Sequence, residues 1–419
     1  YFKKGYSETI LNGTDPVIKD ELIPVTIDSD GTVKKADIGS EWYNYEKKNW
    51  ANAIILKDEI EDYLAGEVIP EDKIESYFVW IPKYRYQLWD LGQYNSLTAI
   101  DESKVHEIPI IFGNYNTSDD KENECTTPME SGATGNCQVG DYMTHPAFLS
   151  IPSTGFWVGK FSVSYINDSI EIKPNRKIYL NFTLGEAFKK SYDYKRNLDS
   201  HLTKNTEWGA INYLIFSKYG ANNILSYNTN QDKLSGYSSN AKIDGNYSLD
   251  SSPYNTEIGY LASTTGNITG IYDMSGGTTQ YVMGINNIRT FPDSNISIYE
   301  LLDKIYNIEH VYSNFYNNTQ YTKYYDLYYG DNSYSFNKRI LGDATGEFGP
   351  FENSDVTNRQ ASSWFISYSY FIYYLDPYFI RCGTGLGENT EHSISIRTSI
   401  MGGGGFNQAF HIILTPILS

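Results

Sequence analysis

The sequence predicts an α+β protein, loop-rich, with short strands and few helices, preceded by a β-rich N-terminal region. Three observations carry that expectation. Tyrosine, which favours strands as threonine does, is heavily used, at 39 of 419 residues. Stretches such as "LIPVTIDSDGTVKKADIG", "SYFVWIPKYRYQLWDL" and "GFWVGKFSVSYI" alternate or concentrate apolar residues in the manner of strands. Helical spacing is confined to a few short segments. A chain of 419 residues can bury one large core or two medium ones.

In chain order, residues 1–20 read as an N-terminal extension, 21–113 as the β-rich region, 114–140 as an insertion loop and 141–419 as a more organised domain. "LIPVTIDSDGTVKKADIG" is a hairpin turning at Asp30 and Gly31. Asp28 and Asp30 also resemble the start of a calcium loop, but the twelfth position falls on Gly39 where a bidentate Glu is required. A short helix is expected over residues 58–64, ended by Gly66. "SYFVWIPKYRYQLWDL" is a long strand region broken at Pro82. "GFWVGKFSVSYI" is a strand with Trp157, Phe161, Val163 and Tyr165 on one face. "TLGEAFKKSY" and "KNTEWGAINYLIFSKYG" are helices. In the second, Asn205 caps the start, Trp208, Ile211 and Ile215 share a face, and Gly220 closes the end. Ser297 and Glu300 form a capping box ahead of Ile298, Leu301, Leu302 and Ile305. "AFHIIL" is an apolar strand near the end.

The balance of 33 Lys plus Arg against 51 Asp plus Glu gives a net charge of −18. Such a field repels phosphate backbones and anionic membranes, so no nucleic-acid partner is expected. No run approaches the roughly 20 apolar residues of a membrane helix. The opening residues carry no signal sequence, and a leader or anchor is expected to have been removed or left out. Cys125 and Cys137 lie in "NECTTPMESGATGNCQVG", where no packed core can form and a cross-link would restrain the loop. A disulfide is expected there, two free thiols being the alternative, and it points to an extracellular or cell-surface location. Zinc is disfavoured because neither a His nor a second Cys pair stands nearby.

Four segments, in order, resemble the formylglycine-generating enzyme-like (sulfatase-modifying-factor) version of the C-type lectin fold. "GFWVGKFSVSY" is similar to that family's early strand and "KNTEWGAINYL" to its "TEAEWEYA" helix. "TGNITGIYDMSGGTTQYVMG" matches the pattern N-x-x-G-x-Y-D-M-x-G-N-x-x-E-W, the most specific of the four. "YFIRCGTG" and "AFHIIL" sit where the family has "RGGS" and the closing "GFR". The resemblance covers roughly residues 145–419. The preceding region, with "EWYNYEKKNWANAIIL" and "YFVWIPKY", looks like the part that comes before this domain in surface proteins of gut-type Gram-positive bacteria. Within "GIYDMSGG", independently of any family, the glycines permit positive-φ turns, Asp273 can accept turn N–H groups and Met274 can plug the core.

Departures from the family decide the expected chemistry. Copper-binding members carry a Cys pair beside the closing segment, where this chain has Phe406, Ala409, Phe410 and His411; Cys382 is its one late cysteine. The related iron-dependent enzymes cluster histidines. Here His106, His145, His201, His310, His392 and His411 are scattered singly, and no G-x-S-x-G elbow occurs. The expectation is a non-catalytic scaffold without a cofactor, a structural calcium ion being the one exception left open.

"SSWFISYSYFIYYLDPYF", residues 362–379, carries a single formal charge, Asp376. In bacterial and phage proteins of this fold, the last part of the chain is often diversified by retroelements that mutate adenines, giving chiefly Asn, Ser, Tyr, Asp, Phe, Ile, Thr, His and Gly. Those residue types dominate 365–408. The resemblance therefore implies a binding face of Phe365, Tyr368, Tyr370, Tyr373 and Tyr378 with Glu388, Asn389, His392, Arg397 and Asn407. Trp364, Pro377, Phe379, Arg381 and Gly383 would be its scaffold. The partner expected there is a protein or glycan ligand, since Tyr offers wide amphipathic contact at low entropy cost. An ordinary Tyr-rich strand pair in the core is the alternative. A rival function is a structural subunit of an extracellular fibre or pilus-like assembly, self-assembling by donating "YFKKGYSETILNGTDPV" as a strand to a neighbouring chain.

Overall fold

The apolar stretches of the sequence pair into a seven-stranded antiparallel sheet in the computed structural model. That structure describes residues 11–19, 21–57, 62–87, 107–113, 140–182, 184–223, 225–240, 250–287, 323–329, 342–344, 379–382, 395–397 and 408–417. The protein is of mixed α/β type, mostly sheet and rich in loops, with two α-helices among the described residues.

The strands of the N-terminal half are β1 (Ile23–Ile27), β2 (Val33–Lys35), β3 (Asn52–Leu56), β4 (Ile74–Pro82), β5 (Tyr84–Gln87), β6 (Ile110–Phe112) and β7 (Tyr142–Thr144). After them come β8 (Gly155–Gly159), β9 (Ser164–Ile166), β10 (Ser169–Glu171), helix α1 (Leu184–Tyr194), β11 (Ser200–Leu202) and helix α2 (Asn205–Ile215). The remainder comprises β12 (Tyr237–Ser238), β13 (Ser252–Pro253), β14 (Thr279–Val282), β15 (Gly284–Asn287), β16 (Asp326–Tyr329), β17 (Phe379–Cys382), β18 (Ser395–Arg397), β19 (Gln408–Ala409) and β20 (Ile412–Leu414).

The large sheet runs β11-β20-β8-β4-β3-β1-β2. It joins strands from the N-terminal region to strands from beyond residue 141. The β1–β2 hairpin forms as the alternation predicts: Gly31 turns at φ +91° and Thr32 N–H donates to Asp30 Oδ1 at 2.9 Å. Asp28 is taken by Lys34, 2.6 Å away. The long strand region breaks after Pro82 as expected, leaving Lys83 between β4 and β5.

β4 and β8 lie at the centre and are buried on both faces, which explains their nearly continuous apolar runs. Trp80 pairs with Trp157 in register, their rings 5.3 Å apart. The expectation of one strand face carrying Trp157, Phe161, Val163 and Tyr165 is corrected accordingly. Only Trp157 lies on β8; the chain leaves the strand at Lys160 and resumes in β9 with Tyr165.

Both expected helices form. α2 has no solvent face, every residue of it being buried, so a three-residue stripe understates it. Its cap is Lys204 rather than Asn205, which is already helical. Glu207 Oε2 accepts Lys204 N–H at 2.8 Å, half of a capping box. Gly220 does not close the end. Asn222, at φ +51°, donates its N–H to Ile215 O at 2.7 Å instead, while Gly220 N–H goes to Ser217 O. The short helix expected over 58–64 is absent from the described part of that stretch, residues 62–64. The helix expected near 298–305, and Cys125 with Cys137, lie outside the described residues. No described helix is long and apolar enough to cross a membrane.

Candidate functional site

The turn "GIYDMSGG" is built around a buried carboxylate. Asp273 takes a left-handed φ of +60°, Gly276 and Gly277 follow at +76° and +73°, and Met274 is fully buried. The Asp273 carboxylate accepts Ser162 N–H at 3.0 Å, Asn228 Nδ2 at 2.9 Å, and Gly236 N–H at 2.9 and 3.1 Å on its two oxygens. Burial pushes its pKa up, and these donors oppose the shift. β14 leaves this turn with Gln280 Nε2 donating to Ser162 Oγ at 3.0 Å.

A buried cation completes the base. Lys160 Nζ donates to Asn52 Oδ1 at 2.9 Å, Ile268 O at 2.6 Å and Gly270 O at 2.8 Å. Burial draws its pKa well down, while three acceptors match the three donors of an ammonium. Lys160 thereby ties β3 to the loop ahead of the turn.

On this base rests a four-stranded sheet, β18-β17-β14-β19. β14 pairs antiparallel with β17, Gln280 opposite Arg381, and parallel with β19, Gln280 opposite Ala409. β18 is at the edge, with Ile380 opposite Arg397 and Cys382 opposite Ser395. Arg397 is thus the one expected binding residue within the described chain, on this outer strand. Glu388, Asn389 and His392 fall in the connection from β17 to β18, and Asn407 precedes β19; like Phe365, Tyr368, Tyr370, Tyr373 and Tyr378, they lie outside the described residues. Of the expected scaffold, Phe379 and Arg381 are on β17.

Three more anchors hold the C-terminal half to the core. Asp326, the first residue of β16, caps α2: Thr206 N–H donates to Oδ2 at 2.6 Å and Thr206 Oγ1 to Oδ1 at 3.0 Å. Burial raises that carboxyl to about 6. Asp199 accepts Tyr324 OH at 2.6 Å and Thr415 Oγ1 at 2.7 Å, and pairs with Lys323 at 2.6 Å. Residues 342–344 run beneath α2, where a Cβ on Gly209 would come within 2.4 Å of Gly342 O. Glycine is required there for the backbones to approach.

The described histidines are separate and structural. His145 is buried, with Nε2 2.7 Å from Gly342 O and Nδ1 accepting Ala147 N–H, and burial lowers its pKa to about 3. His411 lies 2.9 Å from Gly159 O, and burial lowers it to about 4. His201 Nε2 is 3.0 Å from Glu207 Oε1. Burial pushes the Glu207 carboxyl up, but His201 and Lys204 outweigh it and hold it below the usual carboxylate range. Among the described residues, no three His, Cys, Asp or Glu side chains converge as metal ligands. His106, His310 and His392 lie outside them.

Residues 11–19 pack on their own chain. Leu11, Thr14 and Val17 are buried, and the indoles of Trp80 and Trp157 donate to Thr14 O and Val17 O at 2.9 and 2.8 Å. A strand donated to a neighbour without breaking these bonds would have to come from residues 1–10.

Sequence reasoning missed Lys160 and Asp326, and a cleft between the β9–β10 hairpin and α1. A signal for Lys160 existed: a lone lysine inside "GFWVGKFSV" must either reach water or find oxygen partners. Asp326 gives none, since its partner lies 120 residues away. No family model and no curated protein matches the chain.

Proposed function

We propose that the protein is a non-catalytic ligand-binding protein, secreted or displayed at the cell surface, with a formylglycine-generating enzyme-like C-type lectin scaffold. Its ligand, a protein or glycan, is bound by the aromatic and polar C-terminal segment. What supports this reading most is the anchoring of the C-terminal half. Lys323–Asp326 and residues 342–344 are tied to the core, β17 and β19 to β14, and β18 to β17, and the Tyr-, Ser- and Asn-rich stretches run between those ties. A rigid base carrying variable connections is how binding loops are commonly supported. The buried turn, its Asp273 carboxylate held by three donors, gives that base independence from what the connections carry.

The test is to replace Phe365, Tyr368, Tyr370, Tyr373 and Tyr378 together by Ala and probe immobilised glycan and extracellular-protein arrays alongside the parent chain. Capture by the parent should be lost in the variant while the melting temperature holds, because exposed substitutions typically cost within about 0.5 kcal/mol each. A variant that unfolds would show those side chains to be core instead. Sequencing closely related strains adds a second arm: substitutions should cluster between residues 365 and 408.

A further inference from the structure

We propose that the cleft between the β9–β10 hairpin and α1 binds a carboxylated saccharide, with Lys190 receiving the carboxylate. The cleft has a volume of about 470 Å³, within the roughly 300–1,000 Å³ usual for ligand sites. Its shape follows from the chain. Asn167 and Asp168 both take left-handed φ angles, +49° and +61°, so the hairpin turns tightly and presents Asp168 and Ser169 at its tip. α1 faces it with Lys190, and Tyr165 of β9 forms the wall between them.

The charges in the cleft are not equally free. Asp193 is taken by Lys189 at 2.6 Å. Glu75, on the floor, accepts Tyr194 OH at 2.6 Å and lies 3.6 Å from Lys195; burial pushes its carboxyl up. Lys190 differs. Its Nζ stands 3.7 Å from the centre of the Tyr165 ring and 5.9 Å from that of Tyr179, and among the described residues it has neither a hydrogen bond nor an ion pair. The ring faces hold the ammonium in place but accept none of its three protons in the way an oxygen would. An incoming carboxylate would do so. The side chains of Asp168 and Ser169, likewise without a hydrogen bond or ion pair among the described residues, offer acceptors and a hydroxyl to sugar hydroxyl groups. Ile170 is the single aliphatic side chain lining the cleft, so a lipid tail or an apolar peptide anchor would find no pocket. With Glu75, Asp168, Glu186 and Asp193 lining the cleft together with Lys189, Lys190 and Lys195, the site suits a polyhydroxylated ligand whose single carboxylate sits at Lys190 and whose hydroxyl groups meet the acidic side chains.

This site is distinct from the C-terminal segment, and its failure would leave the reading above untouched. Isothermal titration calorimetry on the full chain should use trigalacturonate and, as the uncharged control, trigalactose. Saturable binding of the acidic trimer is expected, with the neutral one at least about tenfold weaker, the equivalent of about 1.4 kcal/mol. Lys190→Met should lose that preference, Lys190→Arg should keep it, and Asp168→Asn should weaken both sugars. Failure of the parent chain to bind the acidic trimer at millimolar concentration overturns the proposal. So does equal binding of the two trimers, a comparison that needs no variant and holds even if Lys190→Met misfolds.

Discussion

Lys160 and Asp273 carry opposite charges into the same core, yet each is satisfied by neutral groups. The distinction matters for what their loss would do. Asp273→Ala leaves two backbone N–H groups and the Asn228 amide without their acceptor, at a cost of about 3 to 5 kcal/mol by analogy with broken buried charge networks. Lys160→Met keeps the stem and strands three oxygens, for about 3 kcal/mol. Urea denaturation should show both losses as lowered midpoints. A Lys160→Met chain as stable as its parent would mean that the oxygens are reached by water. At this scale the sequence was half legible. The role of Met274 could be read from "GIYDMSGG", but Asp273 accepts from Ser162, Asn228 and Gly236, which are 111, 45 and 37 residues away, rather than from N–H groups of its own turn as expected. The partners of Lys160 could not be read either, since they come from positions 108 to 110 residues away.

The elements show where local rules stop. Periodicity located α1 and α2, and the alternation around Asp30 and Gly31 located the first hairpin. It misjudged the ends of α2, because the start is capped by a tertiary contact, Asp326, and the finish by the Asn222 amide, two residues beyond the expected Gly220. Propensity likewise misleads at Gly209. Within an isolated helix Gly→Ala gains roughly 1 kcal/mol. In α2 the new methyl would meet Gly342 O at 2.4 Å, and overpacking of that kind typically costs about 1 to 3 kcal/mol. Gly209→Ala should therefore destabilise the protein and speed amide exchange at Asp343 and Ala344. Unchanged exchange there would show that residues 342–344 are not held by the helix. Of the candidate face, the sequence made visible its aromatic content, but neither the strands β17 and β18 nor the pairing of β14 with β19, a parallel contact set by distant residues.

For the molecule as a whole, buried titratable groups of two signs set the response to acid. His145 and His411 have pKa values of about 3 and about 4 when folded, against 6.5 when free. The unfolded chain takes up these protons first, so stability present above pH 6.5 is lost as the pH falls. Asp326 works the other way. Its pKa of about 6, against 3.8 when free, favours the folded state at low pH, and that contribution is lost as the pH rises through 6. Asp273 and Glu75, also raised by burial, share its sign. Between pH 6.5 and 4.5 each histidine removes about 2 to 3 kcal/mol and Asp326 restores about 2, at about 1.4 kcal/mol per unit. The net expectation is an acid-labile protein. Asp326→Asn, whose amide can still pair with Thr206, should make the acid loss steeper; a shallower loss would reverse the sign assigned to Asp326.

β20 enters the large sheet between β8 and β11, with Ile413 opposite Val158 and Leu414 opposite Trp157. During synthesis β8 must therefore wait for some 250 later residues before its second neighbour emerges. A premature stop or a frameshift anywhere in that interval deletes β20 and leaves a row of unpaired amides and carbonyls beside Trp157, the kind of edge that quality-control chaperones and proteases act on. The large sheet is therefore completed only in a chain translated in frame through β20, the Tyr-rich segment included.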